Sequence, residues 1–279
     1  MNSAPPTPVL IDETSLSRAW ARAFLQTIDS SGKEIAPLII SITGFSDQGI
    51  ATEDYAVRTS LDAVLAEMEF TDIETVAFTI FPQCYWELSE GNRERFYATC
   101  IDAAPRLQAM NRRRNGRGIY FERLMRYGRG PFDGNQLEWI ISEYNRRDGV
   151  RRSMLQATTF DPGRDHVATA QLGFPCLQQV SFVPTASGLV VNAFYATQQL
   201  FDKAYGNYLG ITRLGAFMAQ EMGLRLSRVN IIVGVAKLER VTKGDRRLKR
   251  LLDDARQCIR SVEAPRARNG NAPAANISP

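Results

Sequence analysis

The sequence predicts an α/β (α+β) domain in which a large, partly antiparallel sheet packs against helices. Three observations carry that reading. Helical and strand-like apolar periodicities alternate early in the chain, and a hairpin pattern is embedded in its second half. The third is composition: 44% hydrophobic against 23% charged residues over 279 positions supplies a sizeable core. Residues 1–10, rich in proline, and residues 264–279, poor in large apolar side chains, read as mobile tails around one domain at residues 11–263.

Element by element, Thr14 or Ser15 can cap a helix whose apolar residues Leu16, Trp20, Phe24 and Ile28 recur every fourth position. The β-branched run Leu38 to Ile42 reads as a strand. Val57, Leu61, Val64, Leu65 and Met68 form a helical stripe, whereas Val76, Phe78 and Ile80 alternate before Pro82 as a half-buried strand would. Residues 92–104 look helical, with Pro105 limiting or kinking that helix. Another helix spans 135–147. Val180 to Phe182 and Leu189 to Val191 flank Thr185-Ala186-Ser187-Gly188 as a hairpin. A helix through Leu209 to Met222 closes at Gly223, then Val229 to Val235 is a buried strand and Arg247 to Ile259 a final amphipathic helix.

Composition also narrows function. The cysteines at 84, 100, 176 and 258 form no C-x-x-C pair and no leader pattern precedes them, so a cytoplasmic setting without disulfides is expected. No apolar run is long enough for a membrane span, and no membrane partner is expected. The single histidine, His166, lies in a loop pattern, so zinc sites built from several histidines cannot form and no metal is expected. Arginines cluster at 112–129 and again at 146, 147, 151 and 152. Guanidinium forks suit phosphate, but the 112–117 run carries no interleaved aromatics and stacking platforms for single strands are not evident, so a nucleic-acid partner is not expected.

Cys176, in Gly173-Phe174-Pro175-Cys176-Leu177-Gln178-Gln179, carries the best chemistry. A thiolate is a strong, polarisable nucleophile suited to adding to an electron-poor ring carbon. The competing reading is a small buried hydrophobe.

Lined up in order, several segments resemble thymidylate synthase and its relatives, the pyrimidine-nucleotide hydroxymethylases. The resemblance begins at Gly118-Ile119-Tyr120 and ends near Glu239. The helix from Asn135-Gln136-Leu137 to Arg151-Arg152 is similar to the family's Asp-Gln-Ile helix ending in Ser-Arg-Arg. Phe160-Asp161-Pro162 follows as Trp-Asn-Pro does, Phe174-Pro175-Cys176 stands for the Pro-Pro-Cys nucleophile motif, and Asp202-Lys203-Ala204-Tyr205-Gly206 looks like Asp-x-x-Leu-Gly.

The resemblance implies a sheet-to-sheet homodimer with a mixed sheet, in which Cys176 adds to C6 of a pyrimidine nucleotide and Tyr120 helps handle the C5 proton. It further implies 5,10-methylenetetrahydrofolate as carrier of the methyl or hydroxymethyl group. Arg151 and Arg152 would cross the interface to clamp the neighbour's phosphate, since a dianion needs charge-assisted forked donors; otherwise they are ordinary helix-terminal arginines. Asp202 would join the network around the base, or simply complement a helix N-terminus. Gln198 matches a family glutamine and is a further substrate-binding candidate. Lys237 and Glu239 replace the sugar-gripping His and Tyr, and could bind a different sugar or base.

The differences matter too. Gln199 replaces the own-chain phosphate arginine and Gly210 the asparagine that reads the pyrimidine edge, leaving no side-chain hydrogen bond there. Leu177 replaces the usual His, and Glu67 is the nearest candidate for the family's glutamate. The resemblance thus leaves two readings: a C5 one-carbon transferase, or a catalytically inactive homodimer that binds a nucleotide or a partner.

Overall fold

The computed structural model describes residues 7–168 and 173–263. Seven strands form one mixed sheet: β1 (Val9–Glu13), β2 (Glu34–Ile35), β3 (Leu38–Ile42), β4 (Gln156–Thr158), β5 (Leu177–Thr185), β6 (Gly188–Gln199) and β7 (Leu226–Lys237), in the spatial order β1-β3-β7-β6-β5-β4, with β2 beside the end of β7. The helices are α1 (Leu16–Asp29), α2 (Tyr55–Glu67), α3 (Ile73–Phe78), α4 (Gln83–Leu88), α5 (Arg93–Met110), α6 (Arg112–Asn115), α7 (Tyr120–Met125), α8 (Gln136–Arg146), α9 (Pro162–Asp165), α10 (Ala204–Glu221) and α11 (Lys249–Glu263).

The expected hairpin is β5–β6, antiparallel, with Thr185 opposite Gly188. β6 and β7 run parallel, so α10 between them completes a β-α-β crossover. Alternate residues of the central strands are fully buried: Val191, Ala193 and Tyr195 on β6, Val229, Ile231 and Val233 on β7, and Leu38, Ile40 and Ile42 on β3. Helices α1 and α10 pack on these strands. The intervening positions point the other way. Phe194 is 42% and Leu10 68% exposed, and Val190, Ile39 and Ile232 are partly exposed. That second face is threaded by a polar ladder, in which Asn230 donates to Asn192 at 2.8 Å and Asn192 to Ser181 at 3.1 Å.

Three expectations are corrected. Val76, Phe78 and Ile80 belong to α3 and its C-terminal turn, not to a strand. Asp72 caps this helix, accepting from the amide and the hydroxyl of Thr75 at 2.7 Å each. The helix survives against α10 because Gly206 and Gly210 leave a channel for Val76, Ala77 and Ile80. Second, α5 runs through Pro105 to Met110. The proline sits on the exposed side, where the carbonyl it leaves unpaired at Ile101 can be solvated. Third, β1 begins at Val9, inside the stretch read as a tail, because Val9 to Glu13 pair in parallel with Leu38 to Ile42. The expected tail 264–279 lies outside the described residues.

Candidate active site

Cys176 stands immediately before β5, and its side chain is exposed, which removes the buried-hydrophobe reading. Three contacts fix it. Its carbonyl accepts from the amide of Ala196 at 3.0 Å, its own amide donates to the Tyr120 hydroxyl at 3.3 Å, and its sulfur lies 3.7 Å from Thr197 Oγ1. Tyr120, at the start of α7, is therefore brought to the Cys176 backbone from a distant part of the chain. Burial chiefly, and the neighbouring Cys176 secondarily, raise the Tyr120 hydroxyl well above its ordinary pKa, so it remains a neutral phenol.

A buried ion pair holds the two halves of this arrangement together. Arg123, one turn after Tyr120, donates through both terminal nitrogens to Asp165 at 2.9 and 3.0 Å and also to the Thr159 carbonyl at 2.9 Å. The Thr159 hydroxyl in turn donates to the carbonyl of Leu177, the residue after the cysteine. Both charged side chains are buried, and the forked geometry satisfies each. Burial works to raise the Asp165 carboxyl, yet hydrogen bonds from Arg123 and the Asp161 amide outweigh it and hold it below the usual range. Gln136 adds a second tie: its amide pairs with Thr158 in both directions, donating at 2.9 Å and accepting at 2.8 Å.

At the junction of β6 and α10, several buried polar atoms lack partners. Among the described residues these include Tyr195 Oη, both amide atoms of Gln198, Asp202 Oδ1 and Tyr208 Oη. Gln198 is 2% exposed and faces the interior. Asp202 is buried and its Oδ2 accepts from Arg240 at 2.8 Å; the Arg240 guanidinium also lies 4.0 Å over the Phe70 ring. Arg240 holds a left-handed backbone conformation, φ +66°, strain that β7's exit loop must bear to bring the guanidinium to Asp202.

The other sequence candidates are dispersed. Arg151 and Arg152 are exposed, and Arg152 borders an open groove of about 510 Å³ with Tyr144, Arg147 and Pro184. Pro184 lies at the opposite end of β5 from Cys176. Lys237 pairs with Glu34 at 3.3 Å and approaches Glu239 at 3.9 Å, and Gln199 donates to Glu239 at 3.3 Å. Glu67 is exposed on the last turn of α2, beside Arg247 rather than the thiol. At Gly210 a Cβ would meet Ile80 Cβ at 2.8 Å and the Ala77 carbonyl at 2.9 Å, so this position is filled by α3 and holds no base-reading side chain.

Sequence reading did not single out Thr197, Tyr195, Tyr208, Arg240 or the Arg123–Asp165 pair. Tyr195 falls in phase with buried Val191 and Ala193, a phenol on an apolar strand face, which was the available signal. The others depend on contacts between segments far apart in sequence. Among the described residues there is no cluster of three or more potential metal ligands, and no helix is long and apolar enough to cross a membrane.

No family model matches the chain. Its sequence is 28% identical over 107 residues to a Methanocaldococcus jannaschii protein named "Putative thymidylate synthase". The match covers 38% of this chain and 47% of that protein, so the chain spans about half the length of the curated relative it matches. Over that stretch the chain is similar in sequence to a protein of that name, which supports a thymidylate synthase-like relationship.

Proposed function

We propose that the protein is a thymidylate synthase-like transferase that delivers a one-carbon group to C5 of a pyrimidine nucleotide through covalent addition of Cys176. The observation that carries this reading is the exposed thiol on a residue whose backbone amide holds the neutral Tyr120 hydroxyl, one group able to attack and, beside the same residue, one able to give a hydrogen bond or relay a proton. Tyr120 sits within reach of the cysteine backbone, so a ring bound to the sulfur would lie beside the phenol.

The proposed unit is a homodimer formed through the open sheet face. Eight strand residues at roughly 3.3 Å each separate Cys176 from Pro184, a span of about 26 Å, well beyond one side chain's reach, so Arg151 and Arg152 can act on a phosphate only at the partner's site. The apolar positions Leu10, Ile39, Phe194 and Ile232 supply the contact surface for such pairing. Gln198, Asp202, Lys237 and Glu239 would then line the substrate from its own chain.

The proposed one-carbon carrier is 5,10-methylenetetrahydrofolate, which would supply the group transferred. A pterin's amino edge calls for a carboxylate partner, and Asp202 fits as a one-point contact: Oδ1 is without a partner, whereas Oδ2 is held by Arg240. No metal is proposed.

A second reading, a catalytically inactive homodimer that binds a nucleotide or a partner, is favoured by three specific facts. Gly210 leaves no room for a base-reading side chain, one of the two Asp202 carboxylate oxygens is already taken by Arg240, and Lys237 is engaged by Glu34. Calorimetry with uridine and cytidine monophosphates, alongside mass measurement of covalent adducts, separates the two. Binding without an adduct supports the inactive nucleotide-binding protein, an adduct at Cys176 supports the enzyme, and the absence of both would sink the enzyme and leave only a partner-binding homodimer.

A further inference from the structure

We propose that the hydroxyls of Tyr195 and Tyr208 are the hydrogen-bond donors for the carbonyl oxygen of the ring that Cys176 attacks, and that they select a uracil-type over a cytosine-type ring. The inference rests on the reading of Cys176 as nucleophile and goes beyond it by naming the acceptor and the donors.

The placement comes first. Tyr195 stands directly opposite Leu177 in the β5–β6 ladder, and the next residue, Ala196, binds the Cys176 carbonyl through its amide. Thr197, two residues on, touches the sulfur. Tyr208 is just over one turn into α10, the helix that packs on β6. Both tyrosines are fully buried, and neither hydroxyl has a partner among the described residues.

Unpaired buried hydroxyls are costly, about 1–3 kcal/mol each, and native interiors rarely keep two at one strand–helix junction without a task. The chemistry at Cys176 supplies one. When the thiolate attacks a ring carbon conjugated to a carbonyl, the sulfur lone pair forms the S–C bond. The ring double-bond pair shifts, and the negative charge passes from sulfur to the carbonyl oxygen. Charge and electrons balance without an oxidant or a second reactant. That developing oxyanion needs preorganised donors in a water-poor setting. Phenols kept neutral by burial can give a hydrogen bond to it without losing the proton, and burial does raise both hydroxyls far above their usual titration range. Because Gly210 offers no side chain, these are the buried donors at the β6–α10 junction not already engaged by protein, together with the Gln198 amide. An exocyclic amine at the same ring position would not gather the negative charge as a carbonyl oxygen does, hence the preference.

The test follows adduct formation in time by intact mass, using 5-fluorouracil-type nucleoside monophosphates with methylenetetrahydrofolate and the variants Tyr195→Phe and Tyr208→Phe. Each variant should slow adduct formation about tenfold or more, while its denaturation midpoint stays level or rises, because a hydroxyl without a partner has been removed. Adducts forming at wild-type rate in both variants would overturn this inference and leave the proposed function standing. A fall in midpoint with no change in rate would show a structural role and overturn it as well. Equal rates for the fluorocytosine analogue in wild type would remove the carbonyl assignment. Wild-type protein that forms no adduct at all would refute the proposed function and this inference together.

Discussion

Replacing Gly210 by alanine sets two effects of opposite sign against each other. In the middle of α10, exchanging glycine for alanine should by itself stabilise the helix by roughly 1 kcal/mol. Against this, the added methyl would sit 2.8 Å from Ile80 Cβ, 2.9 Å from the Ala77 carbonyl oxygen and 3.1 Å from Ile80 Cδ1. Comfortable carbon–carbon contact lies near 3.5–4.0 Å, so the two helices must separate by on the order of 1 Å. The obstacles include a Cβ and a backbone oxygen, which cannot swing aside as a side-chain tip can. Overpacking of this kind costs about 1–3 kcal/mol. The net expectation is destabilisation by about 0–2 kcal/mol, larger for Gly210→Asn, whose amide would also be forced into an apolar crossing. Urea unfolding followed by circular dichroism, at fixed protein concentration, measures the change. A Gly210→Ala variant with a higher midpoint and an unchanged slope would refute the close crossing of α3 and α10. It would also reopen position 210 to a base-reading role.

Four further outcomes follow from the structure. Asp165→Ala leaves the Arg123 guanidinium buried without its counter-charge and should cost about 3–5 kcal/mol in chemical unfolding; a loss below about 1 kcal/mol would contradict the brace. The same pair sets an acid response. Because the folded Asp165 carboxyl is held below its unfolded value of about 3.9, its contribution is complete above that pH and disappears as pH falls through the depressed folded value. Asp165→Asn, which cannot titrate, should therefore show a shallower acid slope than wild type, and identical slopes would count against it. Arg152→Ala should weaken binding of a nucleoside monophosphate by about 1.5–3 kcal/mol while leaving the unphosphorylated nucleoside unaffected, as calorimetry would read. Phe194→Asp on the open sheet face should convert the proposed dimer to a monomer in sedimentation velocity; an undisturbed dimer would move the interface elsewhere, and a monomeric wild type would refute the dimer.

Periodic elements were legible from sequence wherever a single face is buried. The stripe through Leu16, Trp20 and Phe24 and the β-branched run from Leu38 to Ile42 declared themselves because burial repeats at the helix or strand period. Val76, Phe78 and Ile80 misled because a short alternating run suits either period, and the deciding partner, the glycine channel of α10, lies more than a hundred residues away. The site divides in the same manner. Cys176 and Tyr120 were readable since each sits in an ordered motif, and the structure brings them together. Tyr195, Tyr208 and the Arg123–Asp165 brace were not. Their significance is a missing or a distant hydrogen-bond partner, a property that exists only after the chain has folded.

The most direct test of the account is intact-mass analysis of the wild-type protein incubated with a 5-fluorouridine-series nucleotide and methylenetetrahydrofolate, followed by peptide mapping. A mass increase equal to nucleotide plus carrier, located on Cys176 and absent from Cys176→Ser, is the expected result. An unmodified mass under saturating nucleotide, or an adduct on Cys84 instead, would contradict the assignment of the sulfur before β5 as the attacking group.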